Sequence, residues 1–218
     1  MRKTWDTIKI VLNAKKEKAD FPKFFTVNGS SITNEQTIAE HFNTFFTDIG
    51  PKLASRLQSS HMPPFQTYLT CPSLSSFNFS NIEASDVSTI ISNFKSKTTL
   101  GHDEISVKVI KLLDANFLNA ITLIINQSFS TGIFPDKLKI AKVIPIFKKD
   151  DNTIFDNYRP ISILPAISKV FERIVFNQLY GYFTKYKLLY FSQHGFRKLH
   201  STETASIEFI DRIFQHLD

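Results

Sequence analysis

The chain has 218 residues, a formal net charge of +6 and a sequence pI of about 9.3. Hydrophobic residues make up 42% of it and charged residues 21%, proportions that are typical of a globular protein and argue against a disordered chain. A single cysteine, Cys71, excludes a disulfide framework, and no apolar run is long enough to cross a membrane.

The N-terminal segment is basic and has no apolar core of the kind that a secretory signal carries. Trp5, Ile8 and Leu12 recur there at helical spacing, which favours a surface helix over a transit peptide. We therefore expect an intracellular protein, in the nucleus or cytoplasm, that is neither secreted nor bound to a membrane. Its surplus of positive charge permits nucleic acid or an anionic surface as a partner.

A helix is predicted over TNEQTIAEHFNTFFTDIGP, residues 33–51. Thr33 and Gln36 fit a capping box, and Gly50 followed by Pro51 is typical of a helix end. The apolar face of this helix contains Ile38, Phe42, Phe45, Phe46 and Ile49.

A segment rich in serine and proline, residues 59–76, predicts a long surface loop and gives the clearest internal boundary. We accordingly divide the chain into a helical segment (1–58), this loop (59–76), a helical region (77–135) and a region that begins with a β-ribbon (136–218). The helical region opens with SFNFSN (76–81), which could form a short strand. Apolar residues at helical spacing then predict three helices, marked by Val87, Ile90, Ile91 and Phe94, by Val107 and Ile110, and by Phe117, Ile121, Ile124, Ile125 and Phe129, the last ended by Gly132 and Pro135.

Two strands joined by a charged turn are predicted between residues 139 and 164. KIAKVIPIF and YRPISIL have the β-branched and aromatic residues of strands, and KKDDN between them has the composition of a turn. Each strand contains a proline, Pro145 or Pro160. Because proline cannot donate to a ladder, both prolines favour an edge or a bent ribbon.

The ribbon carries a cluster of positive charge that could bind an anion. Lys142 and Arg159 both lie near the hairpin and can converge on one ligand, for which a phosphate chain is the natural candidate. The alternative is a solvated edge hairpin whose lysines only prevent aggregation. The pattern by itself leaves both interpretations open. The lysines of this region are Lys137, Lys139, Lys142, Lys148 and Lys149.

Two helices and a polar loop follow the ribbon. The first helix begins after Pro165, and its buried stripe is predicted to contain Ile167, Val170, Phe171, Ile174, Leu179 and Phe183. SQHGFRKLHS (192–201) is predicted to be an irregular loop, in which His194 and His200 could be neutral hydrogen-bonding groups or phosphate neighbours. Ser201 caps the last helix, whose apolar face contains Ala205, Phe209, Ile210, Ile213, Phe214 and Leu217. Because no strand follows this helix, we expect that the sequence is cut inside a domain.

Several blocks of the sequence together resemble the reverse transcriptases of non-LTR retrotransposons, the LINE-type elements of jockey-like lineages. The blocks that carry the resemblance match in order, spacing and identity, and they are AKVIPIFKKDD, YRPISIL, ISKVFERIV and SQHGFRKLHSTETA. Upstream, FKSKTTLGHDEISVKVIKLL is similar to the motif that precedes the fingers of such enzymes. GSSITNEQTIAEHFNTFFTDIG resembles the segment that links their endonuclease to the polymerase.

The resemblance implies an α+β fold, an incomplete right-hand polymerase with a mostly helical N-terminal extension, a fingers β-ribbon and the helices that lead to the palm. It implies that Arg159 grips the triphosphate of an incoming nucleotide, assisted by Lys148, Lys149 and Lys142. It also implies template contacts, from Arg197, Gln193, Gly195, Lys97, Gly101 and Asp103. The partners implied are an RNA template, a DNA primer, a dNTP, and the palm and thumb of the same polyprotein.

The parent activity implied is RNA-directed DNA synthesis with Mg²⁺, which such enzymes hold with palm carboxylates. Those carboxylates are expected beyond the end of this sequence, and Asp150–Asp151 is interpreted as a turn because it lacks hydrophobic flanks. We therefore assign no catalytic or metal-binding residue and expect the chain by itself not to polymerise. Two alternatives are a non-catalytic nucleic-acid-binding module and a translated remnant without function.

Overall fold

Helices and two small antiparallel sheets alternate along the chain in the computed structural model, which describes residues 21–57, 63, 64, 67 and 76–216. The strands are β1 (Phe25–Val27), β2 (Ser30–Ile32), β3 (Lys142–Phe147) and β4 (Tyr158–Ile163). The helices are α1 (Glu35–Ala54), α2 (Ala84–Asn93), α3 (Val107–Ile110), α4 (Ala115–Thr131), α5 (Asp136–Lys139), α6 (Ala166–Lys185) and α7 (Thr202–Gln215). A mixed α and β composition is therefore confirmed. The predictions for Trp5, Ile8, Leu12, Cys71 and Leu217 lie outside the described residues.

The chain forms two compact units that each draw on separate stretches of sequence. The first, the ribbon unit, contains the described residues of 1–63 together with 99–104 and 139–165. The second, the helical unit, contains those of 64–98, 105–138 and 166–218. In the described part of the chain, no helix combines the length and the hydrophobicity needed to span a membrane.

The ribbon unit begins with a hairpin that the sequence analysis missed. Strands β1 and β2 pair in antiparallel register, with Phe25 opposite Ile32. Asn28 and Gly29 connect them with φ angles of 50° and 80°. A two-residue Asn-Gly connection with both φ angles positive is the favoured hairpin turn, because its twist matches that of the strands.

Helix α1 confirms the predicted helix but differs from it at both ends. Its N-cap is Asn34, whose side chain accepts from the Thr37 backbone N–H at 2.9 Å, so the cap predicted at Thr33 is wrong. The helix continues through Pro51 to Ala54, so the predicted end at Gly50 is also wrong. Proline removes one donor but keeps a helical φ, and the Pro51 carbonyl still accepts from the Ser55 N–H at 2.9 Å.

An aromatic cluster forms the core of the ribbon unit. Its buried members are Phe25, Ile38, Phe42, Phe155 and Tyr158. The rings of its four aromatic members are in direct contact, with centroid distances of 4.5 Å between Phe42 and Phe155 and 5.1 Å between Phe42 and Tyr158. Because Phe25 comes from β1, Phe42 from α1 and Tyr158 from β4, this cluster holds the hairpin, the helix and the ribbon together.

The helical unit has a separate aliphatic core built mainly from α2, α4 and α6. The predicted apolar positions of these helices are largely confirmed, and the buried members are Ile82, Val87, Ile90, Ile91, Val107, Ile110, Ile121, Ile125, Ala166, Val170, Phe171 and Ile174. Gly132, with φ 70°, ends α4 as predicted. Phe183, however, is 37% exposed, because only the first half of α6 packs into the core.

The prediction of a strand in SFNFSN is wrong, since residues 76–83 have no regular secondary structure and pair with none of the strands that the structure describes. Two side-chain amides supply the missing partners instead. Asn126 accepts from the Ile82 N–H and donates to the Ile82 carbonyl, both at 2.9 Å. Gln178 makes the same pair of 2.9 Å bonds with Ser80. These amides satisfy backbone groups that a neighbouring strand would otherwise satisfy.

Candidate nucleic-acid interface

The predicted ribbon is formed by β3 and β4, and its register places the two prolines directly opposite each other. The Lys148 backbone N–H donates to the Asn157 carbonyl at 2.8 Å, next to the Phe147–Tyr158 pair. Since bonded and non-bonded pairs alternate along an antiparallel ladder, the Pro145–Pro160 pair occupies a non-bonded position. Both prolines are thus accommodated without the loss of a ladder hydrogen bond.

One face of the ribbon is attached to the body of its unit. Tyr158 is buried, and Phe147 packs against the aromatic cluster. Val143 and Pro145, on the same face, line a cavity of about 770 Å³ together with residues of α1. Because side chains alternate between the two sides of a strand, this attachment determines which residues point the other way.

The opposite face, which we call the open face, carries Arg159 and Lys142 together with four isoleucines, Ile144, Ile146, Ile161 and Ile163. Arg159 is opposite Ile146, and Lys142 is opposite Ile163. Directly opposed residues of an antiparallel pair lie on the same face, so Arg159 and Lys142 share one side of the ribbon. They are four residues apart along it, about 14 Å at the usual rise of a strand, which suits an extended polyanion better than a single phosphate.

Arg159 is available for a ligand. Its side chain is exposed, and among the residues that the structure describes it makes no hydrogen bond and has no carboxylate oxygen within 4 Å. The same is true of Lys142 and Lys148 in this part of the chain. Lys149 differs, because its Nζ lies 3.5 Å from Oδ2 of Asp150. Of the four residues that the resemblance assigned to nucleotide binding, Lys149 therefore has a carboxylate partner, and the other three have none within the described residues.

The charged connection between the strands is a structured turn, as predicted. Asp151 accepts from the backbone N–H and the hydroxyl of Thr153, at 2.8 and 2.7 Å, and these bonds lower the pKa of Asp151. The Tyr158 hydroxyl donates to the Asn152 carbonyl at 2.7 Å, and burial raises the pKa of that tyrosine. The turn is thus fastened both internally and to the ribbon.

The described residues do not fit the Mg²⁺ site that the resemblance implies for the parent enzyme. Within 21–57 and 76–216, no three His, Cys, Asp or Glu side chains are grouped so that they could hold a metal ion. The carboxylates of Asp150 and Asp151 are engaged by Lys149 and Thr153. We therefore assign no metal-dependent step to these residues.

Gly101 and Asp103, predicted template contacts, lie together in the ribbon unit. Gly101 is buried, and a Cβ placed on it would lie 2.9 Å from Oδ1 of Asp103 and 3.0 Å from the backbone N and Cα of Pro165. The close approach of the backbone at the end of β4 therefore requires glycine at this position. Lys97, in the helical unit, has an exposed side chain, and its backbone N–H donates to the Lys95 carbonyl at 2.8 Å.

The remaining predicted template residues lie in a loop of the helical unit, residues 190–200, which we call the anchored loop. Arg197 closes this loop, because its Nη1 donates to the carbonyls of Tyr190 and Phe191, each at 3.3 Å. Gln193 donates from Nε2 to the Gly195 carbonyl at 3.3 Å. Arg197 is thus partly committed to the conformation of its own loop, in contrast to Arg159.

Sequence reasoning missed the residues that attach this loop to α7. His194 contacts Thr204 Oγ1 through Nδ1 at 2.9 Å and Glu208 Oε2 through Nε2 at 2.6 Å. Hydrogen bonds from His194 and Ser192, together with the neighbouring Arg212, hold the pKa of Glu208 below its ordinary value. The i, i+4 spacing of Thr204, Glu208 and Arg212 is the signal that could have revealed a polar face on this helix.

Comparison with known proteins identifies relatives for most of the chain. No protein-family model matches it. It is 33% identical over 138 residues to "RNA-directed DNA polymerase from mobile element jockey" of Drosophila melanogaster, which covers 63% of this chain and 15% of the relative. It is 28% identical over 181 residues to "Probable RNA-directed DNA polymerase from transposon BS" of the same species, with coverages of 82% and 19%.

A third relative, "Probable RNA-directed DNA polymerase from transposon X-element" of Drosophila melanogaster, is 30% identical over 138 residues, with coverages of 62% and 15%. The jockey polymerase of Drosophila funebris is 31% identical over 118 residues, which is 13% of its length. The chain therefore spans between 13 and 19% of the length of these curated relatives.

Proposed function

Because this chain is a homologue of the RNA-directed DNA polymerases of jockey-like non-LTR retrotransposons, we propose that it is part of such a polymerase and contributes binding of the incoming nucleotide and the template. The resemblance predicted from the motif blocks is thereby confirmed. In this proposal the ribbon of β3 and β4 is the fingers ribbon, and the helices after it lead to the palm. The partners are an RNA template, a DNA primer, a dNTP with Mg²⁺, and the rest of the polymerase. The proposal implies an intracellular location, in the nucleus or cytoplasm.

The observation that carries the proposal is the position of Arg159 on the open face of the ribbon. A guanidinium presents a planar set of donors that matches phosphate oxygens, and a charge-assisted bond is stronger than a neutral one. Arg159 is exposed and has no carboxylate partner within the described residues. Lys142 and Lys148 add point charges along the same ribbon, and Lys149 can exchange Asp150 for a phosphate.

Apolar side chains flank Arg159 and support a ligand that has both a phosphate chain and a flat base. Ile144, Ile146 and Ile161 are 37, 44 and 50% exposed on the open face. Exposed isoleucines beside an arginine do not fit a hairpin that is only solvated, since such a hairpin gains nothing from apolar side chains in water. A nucleotide that lies along the open face would cover these side chains and pair its phosphates with the cations.

Template binding is proposed for the anchored loop and the upstream motif. Within the described residues, the Arg197 side chain donates through Nη1 alone, which leaves its other donors for a backbone phosphate. Gln193 and Gly195 flank His194 on the same loop, and Lys97 offers an exposed charge. Gly101 and Asp103 would contribute to template binding indirectly, because they shape the backbone segment that packs against Pro165 after β4.

The test is to titrate the 218-residue chain with a Mg²⁺–deoxynucleoside triphosphate and compare Arg159→Ala with Arg56→Ala by calorimetry. Arg56 is an exposed arginine of the same unit with no side-chain partner within the described residues. A charge-assisted bond contributes about 1.5–3 kcal/mol, so Arg159→Ala should weaken binding by about 10- to 100-fold. Arg159→Lys keeps the positive charge but loses the planar set of guanidinium donors, so its affinity should lie between those of the wild type and Arg159→Ala.

Equal losses for Arg159→Ala and Arg56→Ala would contradict the proposal, because they would indicate diffuse attraction of phosphate to a basic protein. Primer extension on the same chain is expected to stay at background, since the described residues offer no carboxylate cluster for the metal ions. Incorporation above background would show that the catalytic assignment is wrong.

A further inference from the structure

A polar seam attaches the anchored loop to the face of α7 that carries Thr204, Glu208 and Arg212. These residues follow each other at intervals of four, so they lie on one side of the helix. The loop contributes Ser192 and His194, the residues on either side of Gln193. Every member of the seam belongs to the helical unit.

Glu208 is the centre of the seam. Its Oε1 accepts from the Ser192 hydroxyl at 2.9 Å and from Arg212 Nη2 at 2.6 Å, and its Oε2 lies 2.6 Å from His194 Nε2. Since a carboxylate can only accept, His194 carries a proton on Nε2 in this arrangement. Arg212 also donates to the Ser192 hydroxyl at 2.6 Å. One side chain thus gathers three partners, two of them from the loop.

The far side of the seam is fixed as well. Thr204 accepts from the Ser201 backbone N–H at 2.9 Å as part of the capping box of α7, and its hydroxyl meets His194 Nδ1. The Arg212 guanidinium lies 5.1 Å from the ring centre of Phe191. His194 is therefore held at both ring nitrogens, and the loop is held at both Phe191 and His194.

We infer that Glu208 is a positioning residue that holds the anchored loop on α7 in the conformation from which Gln193 and Arg197 contact nucleic acid. This inference rests on the proposed function of the loop. Gln193 lies between the two residues that Glu208 binds, so its backbone direction depends on both of those bonds. Arg197 closes the loop onto Tyr190 and Phe191, and that closure sets its guanidinium in place only while the loop stays on the helix.

The sign of the expected effect separates positioning from simple electrostatics. Glu208→Gln removes a negative charge, which by itself would strengthen the attraction between this basic chain and a polyanion. Positioning predicts the reverse, because glutamine has one accepting oxygen in place of two and no charge, so the contacts that the carboxylate makes with Ser192 and His194 are weakened. With about 0.5–1.5 kcal/mol for each bond, we expect the affinity for single-stranded RNA to fall by about two- to tenfold.

The experiment measures RNA affinity and amide hydrogen exchange in the full 218-residue chain for Glu208→Gln, Glu208→Asp and Asp211→Asn. Asp211→Asn is the matched control, since it removes the same charge from an exposed side chain of α7 that has no partner within the described residues. Glu208→Asp keeps the carboxylate and should retain part of the affinity. We expect faster exchange in residues 190–200 of Glu208→Gln, with exchange in 142–163 unchanged.

Each outcome decides the inference. Weaker RNA binding and faster loop exchange in Glu208→Gln, with Asp211→Asn like the wild type or tighter, supports it. Unchanged loop exchange overturns it, and so does faster loop exchange with RNA affinity that matches Asp211→Asn. If the wild-type chain binds no RNA, the proposed function fails, while the exchange data still decide whether Glu208 anchors the loop. Exchange that rises throughout the chain shows general unfolding and also overturns the inference.

Discussion

The ribbon and the anchored loop each present an arginine to which the family resemblance assigns a role, but the two side chains have different surroundings. Arg159 is exposed on the open face of the ribbon and has no hydrogen-bond or carboxylate partner among the described residues. Arg197 donates to two backbone carbonyls of its own loop. A motif match identifies residues of similar type, but it does not distinguish a cation that is free for a ligand from one that holds the backbone.

The reason for the difference is how each segment satisfies its backbone groups. In the ribbon, strand pairing satisfies the backbone, and the alternation of side chains alone directs Arg159 outward. The anchored loop has no ladder and few backbone bonds of its own, such as Gln193 N–H to the Tyr190 carbonyl at 3.0 Å, so side chains also bond its carbonyls and help to fix its shape. Phe196 and Leu199 show how irregular this loop is, since both have positive φ angles, 58° and 63°. A charged side chain on the ribbon is therefore left available for a ligand, whereas one in the loop forms hydrogen bonds with the backbone.

The largest expected effect comes from removing the support behind the ribbon. Phe42 is 5% exposed and contacts the rings of Phe25, Phe155 and Tyr158. Phe42→Ala should lower the free energy of unfolding by about 3–5 kcal/mol, since it deletes a buried ring and leaves a cavity. Chemical denaturation measures this value, and hydrogen exchange should accelerate in residues 142–163.

Phe209→Ala is the control for this prediction because Phe209 is 66% exposed on α7. Its effect on stability should stay within about 0.5 kcal/mol. If Phe42→Ala left the exchange of the ribbon unchanged, the open face would not depend on the aromatic cluster. The comparison between a supported ribbon and a side-chain-bonded loop would then be wrong.

A smaller effect is expected at Gly101, where the structure gives a packing reason for a residue that the resemblance linked to the template. Gly101→Ala places a Cβ 3.0 Å from backbone atoms of Pro165 and should destabilise the protein by about 1–3 kcal/mol. In Gly181→Ala, the new Cβ meets no heavy atom within 4 Å inside α6, so this change should stabilise by about 0.5–1 kcal/mol. Thermal unfolding of both variants measures the contrast. Equal effects would show that the tight contact at Gly101 is absent.

Periodicity and turn chemistry predicted most of the regular structure. The apolar spacing of α2, α4 and α6 and the strands of the ribbon were identified from sequence because each buries one face of a regular element. The β1–β2 hairpin was missed although Asn28 and Gly29 carry its turn signal, since its three-residue strands are too short for an alternating pattern. SFNFSN was misread because its partners are amides from Asn126 and Gln178, which lie 44 and 98 residues away.

The candidate site was predicted only in part, for a related reason. The register that puts Arg159 and Lys142 on one face follows from the paired prolines and the turn, all of which are local in the sequence. The Glu208 seam depends on contacts between a loop and a helix 10 to 20 residues further along, which no local pattern specifies. The spacing of Thr204, Glu208 and Arg212 could have revealed that they share a helix face, but it could not have shown that His194 contacts this face.

The smallest expected effect tests the comparison directly, with the same substitution at both arginines. Arg197→Ala removes two hydrogen bonds of 3.3 Å to backbone carbonyls and should lower the free energy of unfolding by about 1 kcal/mol. Arg159→Ala removes an exposed side chain without a partner in the described residues, so its effect should lie within about 0.5 kcal/mol of zero. Urea denaturation measures both values, provided that the dependence of the free energy of unfolding on urea concentration is the same for the two variants. If Arg159→Ala destabilised the chain as much as Arg197→Ala, Arg159 would have a structural partner and would not be free for a phosphate, and the distinction between the two regions would fail.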